Sequence, residues 1–478
     1  MMFIHPKKIR NKKRFRWIII PLLIIIILLA VGHEQIWEKA EIKKDALIRI
    51  RERGQLIALT DQNSLNYFIY RGEAQGYQLE MLQSFARHLG VPLKIIALND
   101  IGKLNYYLQY HAADLIALQL PVSSAGKKSV HFSDPFGETR LVLVQRKQSG
   151  DNPKSNSFIT SIDDFSADTV YICENPFTLT FYRYFQKSTH KKVVLISRRD
   201  LSQENLIRQV AEGKIDYALC HENIAMVCKR FYSNINTSLV VTPIFSCSWA
   251  VNHQSDSLLQ EINLWLKKFK AKKENQKIYQ NYFNNQRIAS FFKSDFFSVT
   301  GSRISPFDNE IRKYSQWIGW DWRLLASLIY EESNFRTGLV SSRNASGLMQ
   351  LMPEIAAKFG MDSISGPAQQ IAAGVKYIKY LDKQLPDEIT DRRERIFFVL
   401  ASYNVGIGRI LSAREKAGKY GKNMNRWNGH VDYYLLRRSK KDPYGKPDSL
   451  DIFPIDYKTE GFVDDIVTRF YHYRNLIK

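Results

Sequence analysis

The residues from Leu324 to Pro353 place the strongest constraint on the fold of this 478-residue chain. They begin with the apolar and acidic run L-L-A-S-L-I-Y-E-E-S-N-F and end, after a polar loop, with G-L-M-Q-L-M-P. With a helical period, Glu332 shares one face with three aliphatic residues, which are Leu325, Leu328 and Ile329. The pattern predicts a helix that carries a carboxyl group on its buried face and ends beside a loop.

Glu332 is expected to be the more desolvated of the two adjacent acids. Burial among apolar side chains disfavours the charged form of a carboxyl group, so its pKa should rise from about 4.3 toward about 6. A general acid needs a pKa of this kind at neutral pH. Glu331 shares its face with Ser327 and should have more polar surroundings. The alternative is that both acids are solvated at a helix end.

Four motifs in order resemble the goose-lysozyme-like catalytic domain of bacterial lytic transglycosylases. They are Ser305–Phe335, Gly347–Pro353, Ala401–Gly406, and the group Glu460, Phe462, Val463 and Tyr471. The second motif is similar to the family's G-L-M-Q, and the third to its A-Y-N-A-G with one inserted Ser. The fourth stands where the family has E-T-x-x-Y-V and a later Tyr, with Phe462 in place of the first Tyr. The resemblance implies a mainly α lysozyme-like domain over residues 305–478.

The resemblance implies that one carboxyl group, that of Glu332, acts in both steps of glycan cleavage. It protonates the oxygen of the bond between N-acetylmuramic acid and N-acetylglucosamine in peptidoglycan glycan strands. It then acts as a base while the C6 hydroxyl of the same sugar attacks C1, which leaves a 1,6-anhydromuramoyl end. Most glycosidases use two carboxyl groups, and an internal nucleophile removes the need for the second. No cofactor and no metal is expected.

The resemblance also assigns substrate contacts to six residues of these motifs, namely Ser333, Met349, Gln350, Tyr403, Asn404 and Glu460. Several of them have a structural alternative. Ser333 could simply end the helix, Met349 could belong to the core, and the Gln350 amide could satisfy backbone groups of a turn. Tyr403 is expected to pack its ring in the core in either case. Asn404 could be a residue of a helix end ahead of Gly406.

The N-terminus indicates export. Basic residues crowd the segment 1–16, and an apolar run, Trp17–Val31, follows directly. A positive segment before a hydrophobic one is typical of export with the N-terminus left in the cytoplasm. The run is short for a membrane span of roughly 17–25 residues. We favour an uncleaved inner-membrane anchor over 17–32, with a cleaved signal, and peripheral attachment to the outer membrane, as the alternative.

The formal net charge of +22 fits an exported protein of the cell envelope. Such a chain meets anionic lipid head groups and the carboxylates of peptidoglycan, so the charge indicates envelope adhesion on the periplasmic side and no nucleic-acid partner. A solvated basic surface is the alternative. The four cysteines fit no zinc pattern and cannot be paired from one sequence; they are Cys173, Cys220, Cys228 and Cys247.

Strand and helix patterns alternate in the middle of the chain, which predicts βαβ units in two α/β lobes. Strand patterns cover Gln55–Thr60, Val91–Leu98, Asp114–Gln119, Thr169–Cys173 and Asp216–Leu219, and helical patterns cover Tyr77–Leu89, Lys103–Tyr110 and Leu201–Glu212. Four stretches resemble the periplasmic solute-binding proteins of amino-acid transporters, namely Leu47–Leu56, Tyr67–Gly76, Val130–Phe136 and Glu212–Tyr217. The predicted fold is therefore two lobes of periplasmic-binding-protein type over 45–285, followed by a linker over 286–304 and the lysozyme-like domain.

Two departures from that resemblance concern the ligand. The family has an Arg that grips the α-carboxylate of an amino acid, and the corresponding position is Gly126. The family also has an Asp that pairs with the amino group of the ligand, and the corresponding position lies near His221. Lys127 and Lys128 could replace the Arg or could be surface residues. We expect a different ligand, such as a muropeptide, or none.

The linker is expected to pack on one of the domains, because Phe291, Phe292, Phe296 and Phe297 make it too apolar for a free tether. Ligand binding in the middle domain would then regulate a peptidoglycan lytic transglycosylase. The alternatives are a water-using muramidase on the same fold, and a muropeptide sensor with a vestigial catalytic domain.

Overall fold

The computed structural model describes residues 45–98, 104–109, 112–124, 126–146, 158–165, 169–173, 178–189, 193–198, 201–284, 291, 294–299, 301–436 and 458–477. The predicted basic segment 1–16 and the apolar segment 17–32 lie outside these residues. Within the described ranges, no helix has both the length and the apolar character needed to cross a membrane.

The first half of the described chain forms two α/β lobes, as predicted. Its strands are β1 Leu56–Asp61, β2 Phe68–Tyr70, β3 Glu73–Gln75, β4 Leu93–Leu98, β5 Leu115–Pro121, β6 His131–Phe132, β7 Gly137–Thr139, β8 Leu141–Arg146, β9 Thr169–Ile172, β10 Val194–Ser197, β11 Tyr217–His221, β12 Ile235–Val240 and β13 Phe245–Val251. Its helices are α1 Ala46–Arg53, α2 Tyr77–Leu89, α3 Leu104–Gln109, α4 Leu179–Ser188, α5 Gln203–Ala211, α6 Glu222–Lys229, α7 Asp256–Lys270 and α8 Lys273–Tyr279.

Each lobe is built on one sheet, and the chain passes between the two sheets twice. The first sheet has the order β4-β1-β5-β13-β6, with β7 also paired to β13, and the second has the order β10-β9-β11-β8-β12. One passage leads from β7 into β8, and the return leads from β12 into β13. β1 is parallel to both of its neighbours, as the predicted βαβ units require. The two segments that join the sheets define the hinge side of a two-lobe binding domain.

The catalytic half is mainly α. Its helices are α9 Asp308–Ser315, α10 Trp322–Ser333, α11 Pro353–Lys358, α12 Pro367–Gln384, α13 Arg392–Val405, α14 Ile407–Lys419, α15 Asp432–Leu436 and α16 Lys458–Leu476. Two of them begin at an aspartate that accepts hydrogen bonds from the first turn, Asp321 for α10 and Asp391 for α13. Pro353 and Pro367 begin α11 and α12, where a missing N–H costs nothing.

The described part of the linker packs on the binding domain, as its apolar composition predicted, and Phe292 lies outside the described residues. The ring of Phe291 stacks on Tyr70 with 3.8 Å between ring centroids. Phe297 packs edge-on against Phe68 at 5.2 Å. Main-chain contacts add to these ring contacts, since the Ile69 N–H donates to the Ser298 hydroxyl at 2.8 Å. The linker therefore covers the β2–β3 hairpin, which comprises Phe68–Gln75.

The last helix, α16, joins the catalytic domain to the binding domain through buried contacts. The Tyr473 hydroxyl donates to the Gly72 carbonyl oxygen at 2.7 Å, and the Asn475 amide donates to the Ile95 carbonyl oxygen at 2.9 Å. Tyr67 and His472 share a hydrogen bond between buried side chains. One continuous core runs from the first lobe through this interface into the catalytic domain.

Candidate active site

Helix α10 places Glu332 at the edge of the catalytic core. The three aliphatic residues on its face, Leu325, Leu328 and Ile329, are all fully buried. Glu332 lies one turn further along and is half-buried. The helix ends at Ser333, and Asn334 and Phe335 then adopt left-handed backbone conformations with φ of 51° and 60°. The predicted helix with a carboxyl group beside a loop is present.

The pKa of Glu332 is raised to about 8. Burial is the larger cause of this rise, and the negative charge of Glu331 is the smaller one. The direction is the one that the sequence predicts, and the rise is larger than the expected value of about 6. The carboxyl group therefore holds its proton at neutral pH, as a general acid requires.

Glu331 is held in a different environment from its neighbour. Its carboxylate pairs with the Arg469 guanidinium of α16, with 3.1 Å between Nη2 and Oε2. The same guanidinium lies 4.0 Å from the ring centroid of Tyr330. In the part of the chain that the structure describes, Glu331 is the one acid whose charge contributes to the raised pKa of Glu332. The arrangement thus offers one proton donor and an ion-paired acid beside it.

Two motif side chains hold the G-L-M-Q loop against the end of α10. The Ser333 hydroxyl donates to the Leu348 carbonyl oxygen at 2.8 Å. The buried Tyr403 hydroxyl donates to the Met349 carbonyl oxygen at 2.6 Å. Burial, together with the charge of Glu332, raises the pKa of the Tyr403 phenol well above its usual range. Tyr403 therefore stays protonated, and both hydroxyls fix the loop relative to Glu332.

Met349 and Gln350 take the structural roles that were their alternatives. The Met349 side chain is 1% exposed and packs on Gly374, where an added Cβ would lie 2.1 Å from its sulfur. The Gln350 amide donates to the carbonyl oxygens of Leu339 and Gly347, both at 2.9 Å. Its left-handed backbone, with φ of 43°, makes the tight turn of the loop. Met349 thus lies in the core, and the substrate contacts expected of Met349 and Gln350 stay predictions.

The other two predicted contact residues differ in position. Asn404 is exposed near the end of α13, directly after the buried Tyr403. It precedes Gly406, which ends that helix with φ of 87°. The side chain of Glu460 lies outside the described residues, although its backbone belongs to α16. Asn404 is therefore the accessible polar side chain of the A-S-Y-N-V-G motif.

Gln370 and Arg469 are two residues of this region that the sequence analysis missed. The Leu348 N–H donates to the Gln370 side-chain oxygen at 2.8 Å, and the Gln370 amide donates to the Ser365 carbonyl oxygen at 2.9 Å. Gln370 is buried beside Ile371 on α12. A polar residue on an apolar helix face was the signal for Gln370. Arg469 had no such signal, because its partner Glu331 lies 138 positions earlier in the chain.

The binding domain lacks both charged anchors of an amino-acid ligand. Gly126 is buried in a short turn, and Lys127 and Lys128 beside it are exposed. His221 is 3% exposed, and burial lowers its pKa to about 4, so the imidazole is neutral at pH 7. Lys127 and Lys128 therefore lie on the surface. Neither anchor position, Gly126 or His221, carries a charged side chain at pH 7.

A carboxyl group of the protein itself joins the two lobes. Glu204 of α5 in the second lobe accepts hydrogen bonds from the N–H and the hydroxyl of Ser64, which follows β1 in the first lobe. The N–H bond measures 2.9 Å, and the Glu204 side chain is buried. Burial raises the pKa of Glu204 to about 7, against a lowering by the Ser64 bonds. The contact between Ser64 and Glu204, called the clasp below, joins the second lobe to the first.

A cavity of about 640 Å³ lies on the hinge side of the lobes. Residues of both lobes and of the segment after α8 line it, among them Tyr77, Gln119, Thr139, Asn223, Arg230 and Tyr279. The Asn223 amide donates to the Gln119 side-chain oxygen at 2.7 Å across it. The four cysteines of this half are all buried and free, so no disulfide joins the lobes.

Comparison with known proteins agrees with both halves of the fold. Residues 56–285 match the family of bacterial extracellular solute-binding proteins, family 3, and residues 309–425 match the transglycosylase SLT domain. Two curated relatives match across both domains. A membrane-bound lytic murein transglycosylase F from Desulfosudis oleivorans is 28% identical over 88% of this chain and 91% of its own length. A protein of the same name from Pseudomonas fluorescens is 29% identical over 84% of this chain and 82% of its own.

Over 84–88% of its length the chain is similar to proteins named lytic murein transglycosylase F, with a family 3 solute-binding domain followed by a transglycosylase SLT domain. Among solved structures, holo ArgBP from T. maritima is similar, with 21% identity and a TM-score of 0.40 over 49% of this chain and 98% of that one. Of the residues that the family resemblance assigned to chemistry, Ser333, Met349, Gln350 and Tyr403 meet at the loop that follows α10, whereas Asn404 is exposed near the end of α13.

Proposed function

We propose that this protein is a lytic transglycosylase that cleaves peptidoglycan glycan strands between N-acetylmuramic acid and N-acetylglucosamine. One observation carries the proposal. The carboxyl group of Glu332, at the end of α10, has a pKa raised to about 8. The loop beside it is held in place by hydrogen bonds from Ser333 and Tyr403. A neutral carboxylic acid at physiological pH is the group that donates a proton to a leaving oxygen.

The proposed reaction uses this group twice. Glu332 transfers its proton to the glycosidic oxygen, and the bond from that oxygen to C1 of the muramic acid breaks. The carboxylate then accepts the proton of the C6 hydroxyl as O6 bonds to C1, so the acid is regenerated and no water is consumed. A retaining or inverting hydrolase would need a second carboxyl group about 5–9.5 Å away. The nearest acid in sequence, Glu331, is bound to Arg469 instead.

The products distinguish this reaction from its alternatives. Purified glycan strands digested by the protein should yield 1,6-anhydromuramoyl ends, detected by mass spectrometry. Products heavier by one water would indicate a hydrolytic muramidase on the same fold. An absence of cleavage by the folded protein would favour the remaining alternative, a muropeptide sensor with a vestigial catalytic domain. Glu332→Gln, incubated in parallel, controls for contaminating enzymes.

The binding domain is proposed to regulate the reaction through a ligand other than a free amino acid. The cavity on the hinge side and the loss of both charged anchors support a larger ligand, such as a muropeptide. Muropeptides added to the glycan digest should change the rate, whereas amino acids should not. The apolar N-terminal run and the net charge of +22 support attachment to the envelope, on its periplasmic side.

A further inference from the structure

The turn behind Glu332 is strained. Asn334 and Phe335 follow α10 with φ of 51° and 60°, in the left-handed region, which asparagine often adopts at helix ends but most other residues with a Cβ rarely adopt. For a bulky aromatic such as Phe335 this conformation is unusual, and it persists only where surrounding contacts impose it. The turn stands two and three residues after Glu332, so its position determines where the end of α10 lies.

The contacts that surround this turn come partly from the other domain. Gly72, at the tip of the β2–β3 hairpin, lies so close that a Cβ added to it would be 2.6 Å from Tyr330 and 2.8 Å from Phe335. Such a Cβ would also lie 2.9 Å from the Tyr473 hydroxyl. No side chain fits between the hairpin and the turn. Only glycine allows this approach, and its own φ of 83° also favours glycine.

The hairpin is itself held from two sides. The Gly72 carbonyl oxygen accepts the Tyr473 hydroxyl at 2.7 Å, which ties the hairpin tip to α16. On the other side the linker covers it, through Phe291 stacked on Tyr70 and Phe297 packed on Phe68. A part that is fixed on both sides can impose a conformation on a third element, which here is the strained turn.

We propose that the β2–β3 hairpin is a positioning element of the active site, and that Gly72 fixes the left-handed turn that sets the place of Glu332. This inference rests on the proposed function for the identity of the catalytic acid. Gly72 touches no substrate; it acts through Tyr330 and Phe335, which stand on either side of Glu332 in the chain.

The test compares Gly72→Ala with Gly54→Ala in the full chain. Both glycines have a positive φ, 83° and 67°, but nothing lies within 4 Å of a Cβ added to Gly54. Both variants therefore place alanine at a positive φ, and only Gly72→Ala also brings a Cβ into close contact with other side chains. We expect Gly72→Ala to lower kcat at least about tenfold with little change in KM, since a displacement of roughly 1 Å can cost about 10²-fold.

The pH profile separates positioning from loss of folded protein. In Gly72→Ala the limb of kcat that reports the ionisation of Glu332 should move, because the surroundings of the carboxyl group change, whereas Gly54→Ala should keep the limb of the unaltered protein. Less folded protein would scale the rate and leave the limb in place. Equal kcat and equal limbs in the two variants would overturn the proposal, and so would a faster Gly72→Ala, which would make the hairpin inhibitory.

A second variant keeps the test decisive if Gly72→Ala does not fold. Tyr473→Phe removes the hydrogen bond to the hairpin without adding an atom. We expect kcat to fall roughly twofold to tenfold, the range of one net hydrogen bond, with KM unchanged. An unchanged kcat would contradict the proposal. If the unaltered protein forms no anhydro ends, the proposed function fails instead, so the two failures are distinct.

Discussion

Each of the two domains contains a desolvated carboxyl group, and the two groups differ in their access to solvent. Glu332 is half-buried at the end of helix α10. Glu204 is fully buried, and one of its carboxylate oxygens accepts hydrogen bonds from the N–H and the hydroxyl of Ser64 in the opposite lobe. Burial raises the pKa of both, to about 8 and about 7. A raised pKa marks desolvation, and access to the group decides whether desolvation can serve catalysis.

The same contrast extends to the surroundings of each group. Around Glu332, the serine and the tyrosine of the family motifs are present and hold the loop in place. In the binding domain, Gly126 and the neutral His221 stand where charged anchors are expected. The motif side chains beside Glu332 thus contact the loop, whereas the two anchor positions of the binding domain carry no charge at pH 7.

The largest expected effect comes from replacing the proposed catalytic acid of the second domain. Glu332→Gln should abolish cleavage of glycan strands, because the amide neither donates a proton to the leaving oxygen nor accepts one from the C6 hydroxyl. General acid–base catalysis contributes roughly 10²–10⁴-fold, and both steps lose it. Release of anhydromuramoyl products, followed by mass spectrometry, measures the loss. The matched control is Glu331→Gln, which should keep most of the activity at neutral pH. The reverse outcome would show that the wrong acid has been assigned.

Local patterns allowed the sequence to predict much of this architecture. The helix Tyr77–Leu89 has the predicted bounds, because apolar spacing and Gly90 define its length and its end. Strand β1, Leu56–Asp61, differs by one residue from its predicted range. The buried stripe behind Glu332 followed from a 3.6-residue period alone. These features depend on neighbours in sequence, which one chain is enough to show.

Contacts between distant parts of the chain were beyond prediction. Gly72 meets Phe335 and Tyr473 across a domain interface, and Ser64 meets Glu204 across two lobes. Nothing in the sequence spacing connects such partners. The alternatives for Met349 and Gln350 were likewise undecidable, because only three-dimensional packing shows that one fills the core and the other satisfies backbone oxygens.

The binding domain is expected to have a low affinity for free amino acids. Free amino acids should bind the full chain no more tightly than about millimolar, since each missing charge-assisted bond is worth about 1.5–3 kcal/mol. The Glu332→Gln chain should be titrated calorimetrically with a panel of amino acids, so that turnover does not interfere. Micromolar binding of any one of them would show that the domain retains an anchor that Gly126 and His221 do not supply.

A smaller effect concerns the clasp between the lobes. The pKa of Glu204 is raised from 4.5 to about 7 in the folded protein. Stability from this group is therefore fully present below about pH 4.5 and is lost as the pH rises through about 7. A rise from 4.5 to about 7 corresponds to roughly 3 kcal/mol. Glu204→Gln cannot ionise, so its free energy of unfolding should lack this loss between pH 5 and 8. Chemical denaturation at several pH values measures it, and identical pH dependence in both proteins would refute the clasp as a titrating group.

The smallest effect tests how the two adjacent acids interact. The charge of Glu331 raises the pKa of Glu332, second to burial. Glu331→Gln removes that charge and leaves the Arg469 guanidinium without its carboxylate partner, and both changes favour the ionised form of Glu332. The pKa of Glu332 should fall from about 8, so the limb of kcat at high pH should move to lower pH, while the rate below pH 6 changes little. A profile of kcat from pH 5 to 9 measures the shift. A limb that stays in place would mean that burial alone sets the pKa, and a limb that moves upward would mean that the substitution buries Glu332 more deeply.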